Sequence, residues 1–161
     1  MRHIISIVLQ NEAGALTRVS NLFSSRGYNI ESLNVAPTDD PAVSRLTLVT
    51  TGSEDVIDQI TSQLGKLIDV VDISDMTGEE HIERELVLCK LRSDDDISEK
   101  LQSAGVRVLD DREGHYTVEC VGGGQDIDRL LIRLAGIGTV QSVVRSGAMA
   151  IARGAPIFER V

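Results

Sequence analysis

Read for hydrophobic periodicity, the chain repeats one order of elements twice. A short apolar run, RHIISIVLQ (residues 2–10), has the length and content of a strand. Ala15, Leu16, Val19, Leu22 and Phe23 then recur at helical spacing, and Gly27 stands where such a helix ends. NIESLNVAP (29–37) and SRLTLVTT (44–51) predict two strands joined through the turn-rich TDDPAV. Val56, Ile57, Ile60 and Leu64 mark a second amphipathic helix, and DVVDISDM (69–76) a closing strand. The polar TGEEHI interrupts the pattern, which then resumes. RELVLCKL (84–91) predicts a strand, DDDISEKLQSAG (94–105) a short helix ended by Gly105, and VRVLDDREGHYTVECVG (106–122) a hairpin turning at Glu113-Gly114. Ile127, Leu130, Leu131 and Leu134 share a helical face, and GTVQSVVRSG (138–147) closes the series.

Two βαββαβ series in tandem predict an α+β chain of two ferredoxin-like domains, each an antiparallel sheet covered by two helices. The expected boundaries are 1–77 and 83–161, with 78–82 as linker. A sheet covered on one side leaves a face and its edges open, so pairing within or between chains is expected. The stretch RSGAMAIARG (145–154) fits the pattern least well. Its small residues suit the end of the last strand followed by a docked tail.

Composition narrows the function classes. Aromatic residues make up 2% of the 161, so Leu, Ile, Val and Ala must build the cores. The net charge of −9 argues against nucleic acid and against an anionic membrane surface as partners. No apolar run approaches the ~20 residues of a membrane span, and the start is too interrupted for a signal peptide, so a cytoplasmic protein is expected. Residues 1–82 hold 5 basic against 12 acidic side chains, and 83–161 hold 11 against 13. Arg129, Arg133, Arg145, Arg153 and Arg160 make most of that difference, as a solvated surface or as a docking face for an acidic protein.

Catalytic chemistry is hard to find. Cys89 and Cys120 fit buried core positions, and His3, His81 and His115 lack metal-ligand spacing. Asp94–Asp96 open a predicted helix, where acids complement its dipole. VGGGQD (121–126) has neither a phosphate-loop lysine nor dinucleotide spacing and reads as a tight turn.

The better candidate is NEAGALTRVSNLFSSRGYNIESL (11–33). A helix N-terminus presents unpaired amides to a carboxylate, Gly14 leaves room for a small ligand, and Asn11 can both donate and accept toward a zwitterion. Asn29 could reach such a ligand from a paired subunit. The plainer alternative makes Asn11 the helix N-cap, and Gly27 with Asn29 turn residues.

IISIVLQNEAGALTRVSNLFSSRGYNIESLNVAPTDDPAVSRLTLVT (4–50) resembles the ACT domain of the small regulatory subunits of acetolactate synthase (acetohydroxyacid synthase). The NE-GAL turn, RGYNIESL and the TDDP…SR hairpin carry it. It continues through ERELVL and YTVE to RSG…ARG, departing at 92–106, where this chain is shorter. The resemblance implies an effector site of Asn11, Ala13, Gly14, Ala15 and Leu16 from one subunit, with Asn29 and Ile30 from the other subunit of a homodimer. It also implies a non-catalytic chain that activates a catalytic large subunit and confers feedback inhibition by valine or another branched-chain amino acid. Thiamine diphosphate, magnesium and FAD would belong to that partner. Alternatives are a free-standing ACT-type sensor acting on a different enzyme, and an assembly module without a ligand.

Overall fold

The structure is a computed structural model and describes residues 1–158. The described chain divides into two compact units: residues 1–82 together with 148–158, and Glu83–Gly147.

In the first unit, β1 (Arg2–Gln10), α1 (Ala15–Ser24), β2 (Ile30–Pro37), β3 (Val43–Thr51), α2 (Glu54–Leu64) and β4 (Val70–Asp75) follow in the predicted order. The sheet order is β2-β3-β1-β4, all neighbours antiparallel. The two central strands carry the longest apolar runs, and the edges fall to the more polar β2 and β4, as antiparallel sheets generally arrange. Ile5, Ile7 and Leu9 of β1 and Leu46 and Leu48 of β3 face the helices. Val19 and Phe23 of α1 and Ile57, Ile60 and Leu64 of α2 close over them. Phe23 is fully buried. Burial of this kind contributes about 1.5–3 kcal/mol per large side chain.

α1 ends in a Schellman motif: the amide of Tyr28 donates to the Phe23 carbonyl and that of Gly27 to the Ser24 carbonyl, both at 3.0 Å. Gly27 takes φ 73°, the left-handed conformation that this motif requires and glycine adopts without a Cβ penalty. The helix end is thereby fixed by one residue.

The second unit repeats the topology with β5 (His81–Arg92), α3 (Ser98–Ser103), β6 (Arg107–Asp110), β7 (His115–Gly122), α4 (Gly124–Ala135) and β8 (Thr139–Arg145), in the order β6-β7-β5-β8. Its core gathers Val87, Cys89, Leu91, Leu101, Val118, Cys120, Ile127 and Leu134, so both cysteines are buried. Lost solvation pushes both thiols above their ordinary range, which makes them poor nucleophiles. Asp96 accepts from the Ser98 amide at 3.0 Å and its hydroxyl at 2.6 Å. Those bonds hold its carboxyl below the usual range and tie the acidic run to the start of α3. The helix is only six residues long.

The structure differs from the sequence expectation at the C-terminal side. The boundary 83–161 placed the tail with the second domain; its described residues pack on the first. β9 (Met149–Ala152) pairs with β5, whose first two residues belong to the first unit. The Arg153 amide donates to Glu80 O at 2.8 Å, and the Ala148 amide to Ser32 Oγ at 3.1 Å. Ala150, with Ala148 and Ala152 beside it, lies against Ile4, Val49 and Met76. These residues belong to the side of the first sheet that the helices leave open, and the alanines are small enough for the tail backbone to approach it. The reason is local to neither segment: an uncovered apolar face and a small-residue strand bury each other.

Arg145 is not a free surface charge. Its Nε and Nη2 donate to the Glu85 carboxylate at 2.8 and 2.7 Å, and Nη1 donates to Asp128 at 2.9 Å. Glu85 is buried and, held by this fork, stays below the usual carboxylate range. Arg160 lies outside the described residues.

Candidate functional site

The candidate site begins where β1 hands the chain to α1. Gln10 donates its amide to Asp69 O at 2.8 Å, and Asn11 donates its own to Ala42 O at 2.8 Å. The Asn11 side chain also donates, from Nδ2 to Pro41 O at 3.0 Å. Asn11 is therefore not the helix cap: it ties the end of β1 to the β2–β3 turn. The capping position is Gly14, with φ 87° and ψ −11°. A left-handed residue here lets the chain reverse into the helix, and it has no side chain to close the helix mouth.

The first-turn amides open onto that mouth. Ala15 N–H is turned back to Glu12 O at 3.2 Å, while Leu16 and Thr17 have no intrahelical acceptor by geometry. Ala13, Gly14 and Leu16 are exposed, and Ala15 is buried under the turn. Beneath Gly14 lies Arg18. A Cβ built on Gly14 would stand 2.9 Å from Arg18 Nη1.

Arg18 itself is held by a two-pronged contact with Asp69, Nε to Oδ2 at 2.5 Å and Nη2 to Oδ1 at 2.7 Å. Asp69 is buried, and the Arg18 hydrogen bonds keep its carboxyl below the usual range despite that burial. The same contact raises the Arg18 guanidinium above its ordinary value. The cation at the mouth is thus already matched, so an incoming carboxylate has the amides and the helix dipole to meet it. Sequence reasoning missed this pair. Arg18 lies one helical turn past Gly14, but nothing in the pattern links it to an aspartate 51 positions away.

Asn29 and Ile30 occupy the other end of α1. Asn29 is exposed and its carbonyl accepts from Thr50 Oγ1 at 2.7 Å. Ile30 pairs with Thr50 on β3, whereas Gln10 pairs with Val43. Seven residues of β3 separate those positions, roughly 23 Å along a strand. Within one chain, then, the structure brings Asn11, Ala13, Gly14, Ala15 and Leu16 together and leaves Asn29 and Ile30 apart. β2, which starts at Ile30, is an edge strand of the sheet.

Among the described residues no group of three or more His, Cys, Asp or Glu is placed to hold a metal ion, and no helix is long and apolar enough to cross a membrane.

Comparison with known proteins gives a consistent result. Residues 5–72 match a family model described as the AHAS small subunit-like ACT domain, and residues 84–154 match one described as the small subunit of acetolactate synthase. An Escherichia coli protein named acetolactate synthase isozyme 3 small subunit is 42% identical over 162 residues, covering 98% of this chain and 99% of its own length. The acetolactate synthase small subunit of Haemophilus influenzae is 42% identical across 96% of this chain and 97% of its own. Among solved structures, the acetolactate synthase small subunit from Thermotoga maritima superposes with a TM-score of 0.85 at 29% identity, over 96% of this chain and 99% of that one.

Proposed function

Because the chain belongs to the family of acetolactate synthase small subunits, we propose that it activates a catalytic large subunit and makes that enzyme sensitive to feedback inhibition by valine. The observation that carries this reading is the open, glycine-capped mouth of α1. A valine carboxylate meets the first-turn amides there. Asn11 has committed its Nδ2 to Pro41, which leaves Oδ1 as the acceptor for the ammonium group.

Asn29 and Ile30 join this site from a second chain. Two copies related by a two-fold axis perpendicular to β2 pair these edges antiparallel and present the Ile30 end of one to the Pro37 end of the other, which removes the ~23 Å separation. The effector then sits at the seam of a homodimer, with valine bridging two chains. Thiamine diphosphate, magnesium and FAD reside in the catalytic partner, which performs the carbon–carbon bond formation in the cytoplasm. This chain supplies control.

The decisive experiment reconstitutes the chain with its large subunit and follows acetolactate formation from pyruvate. The chain alone gives no turnover, the mixture exceeds the large subunit alone, and valine reverses the gain. Activation without any valine response would reduce the reading to an assembly module. Acetolactate formed by this chain alone would refute it.

A further inference from the structure

On the helix-free side of the first unit, the C-terminal strap and the β2–β3 edge enclose a cleft of about 390 Å³. That volume lies at the lower end of the range for small-molecule pockets. Asn34, Ala36, Pro37, Arg45 and Thr47 line one wall together with the turn residues Thr38 and Asp39, whose carboxylate does not pair with Arg45, and Met149, Ala150 and Ile151 of β9 complete the lining.

Arg45 is the unusual group. Its Nε donates to Ser6 Oγ at 3.2 Å, and the guanidinium lies 5.1 Å from the centre of the Phe158 ring. The ring engages the guanidinium through its π system and Ser6 takes one edge donor. Among the described residues the Nη groups have no protein acceptor, and no carboxylate pairs with this cation. Desolvation without a compensating anion lowers its pKa from the ordinary value. Arg18 and Arg145, by contrast, are each paired with a buried acid. The Asn34 side chain, beside Arg45 in the cleft, also has no hydrogen-bond partner among the described residues. On the β9 side, Met149 and Ile151 leave 46% and 56% of their surface exposed, an apolar border, while the exposed Asp39 lies on the turn side.

The geometry points to a second small-molecule site in this cleft, independent of the helix-mouth site, which binds a short aliphatic carboxylate. The two free Nη groups form an end-on fork of the kind that receives a carboxylate in a planar, two-bond contact. Asn34 accommodates a further polar group, and Ala36, Ala150 and the β9 side chains cover the hydrocarbon. The cleft reaches the β2–β3 turn only at Thr38 and Asp39, and Pro41 and Ala42, whose carbonyls hold Asn11, lie outside its lining.

The test titrates the full chain with isobutyrate at constant ionic strength, followed by amide NMR shifts. Isobutyramide, the neutral isostere, and inorganic phosphate serve as parallel probes. Saturable shifts centred on Ala36, Arg45 and Ala150 are expected with isobutyrate, with at least tenfold weaker response to isobutyramide. Arg45→Gln should abolish them and Gly14→Ala should leave them unchanged. Because Arg45→Gln removes the Phe158 contact, Ala36→Phe provides a second variant: it fills the cleft and leaves Arg45 and Phe158 in place, and since Ala36 lies on the β2 edge assigned to the dimer seam, sedimentation must show its oligomeric state unchanged. Equal response to phosphate, binding that survives Ala36→Phe, or shifts that disappear with Gly14→Ala would each overturn the assignment. So would the absence of any saturable shift.

Discussion

Gly14 allows stability and effector binding to be separated in one small set of variants. Its φ of 87° is left-handed, where an alanine is strained by about 1–2 kcal/mol. Alanine also restricts the unfolded chain, which returns about 0.4–1 kcal/mol. The net loss for Gly14→Ala is therefore roughly 1 kcal/mol, or a Tm lower by about 4–8 °C for a unit of this size. Aspartate tolerates the left-handed region better than alanine, and its charge at a helix start recovers about 0.3–1 kcal/mol. Its Cβ meets the same Arg18 Nη1 at 2.9 Å, but its carboxylate faces a cation. The expected order of stability is Gly, then Asp, then Ala. The expected order of valine affinity is different: Gly, then Ala, then Asp, because aspartate puts like charge where the effector carboxylate should lie. Thermal melts and valine calorimetry, run well below each Tm, give both orders. If affinity simply follows stability across the three, the site reasoning fails. If Gly14→Ala melts with wild type, the backbone reasoning fails.

Three further outcomes follow from the same contacts. Arg145→Ala leaves the buried Glu85 carboxylate without its fork, and because Arg145 is itself 39% exposed the loss should be about 1–3 kcal/mol, less than for a fully buried pair. The Glu85 pKa is depressed in the folded chain, so this pair stabilises above the ordinary glutamate pKa of about 4.3 and is lost as pH falls through the folded value. Urea unfolding of wild type and variant should therefore converge in acid; a gap that persists undiminished there would rule the pair out as its cause. Val35 is exposed on edge strand β2, so Val35→Glu should weaken self-association at least tenfold in sedimentation equilibrium, and an unchanged dimer would place the seam elsewhere.

What was legible in the sequence was whatever neighbouring residues settle among themselves. The helical spacing of Val19 and Phe23, the apolar runs of β1 and β3 and the turn at Glu113-Gly114 lie within a few residues of one another, and steric and hydrophobic preferences act at that range. Glu113 and Gly114 indeed both take positive φ, at 55° and 74°, as a tight hairpin reversal demands. The clustering of Asn11, Ala13, Gly14, Ala15 and Leu16 belongs to the same class, since one short stretch of chain carries all five. Their resemblance to a family favoured a ligand clamp over a helix cap, two roles that spacing alone left open. Tertiary structure overturned the cap, because the carbonyl that Asn11 bonds belongs to Pro41, 30 residues away. Tertiary structure alone decided the rest. Asp69 reaches Arg18 because α1 and the start of β4 meet at one end of the sheet, and Glu85 consumes the charge of Arg145 because β5 and β8 are neighbours. MAIA reads as a short strand anywhere; only the open face bearing Ile4 and Val49 makes it part of the first unit. Hydrophobic burial has no memory of sequence distance, so the partner of a face depends on which surfaces remain uncovered after the local elements have formed.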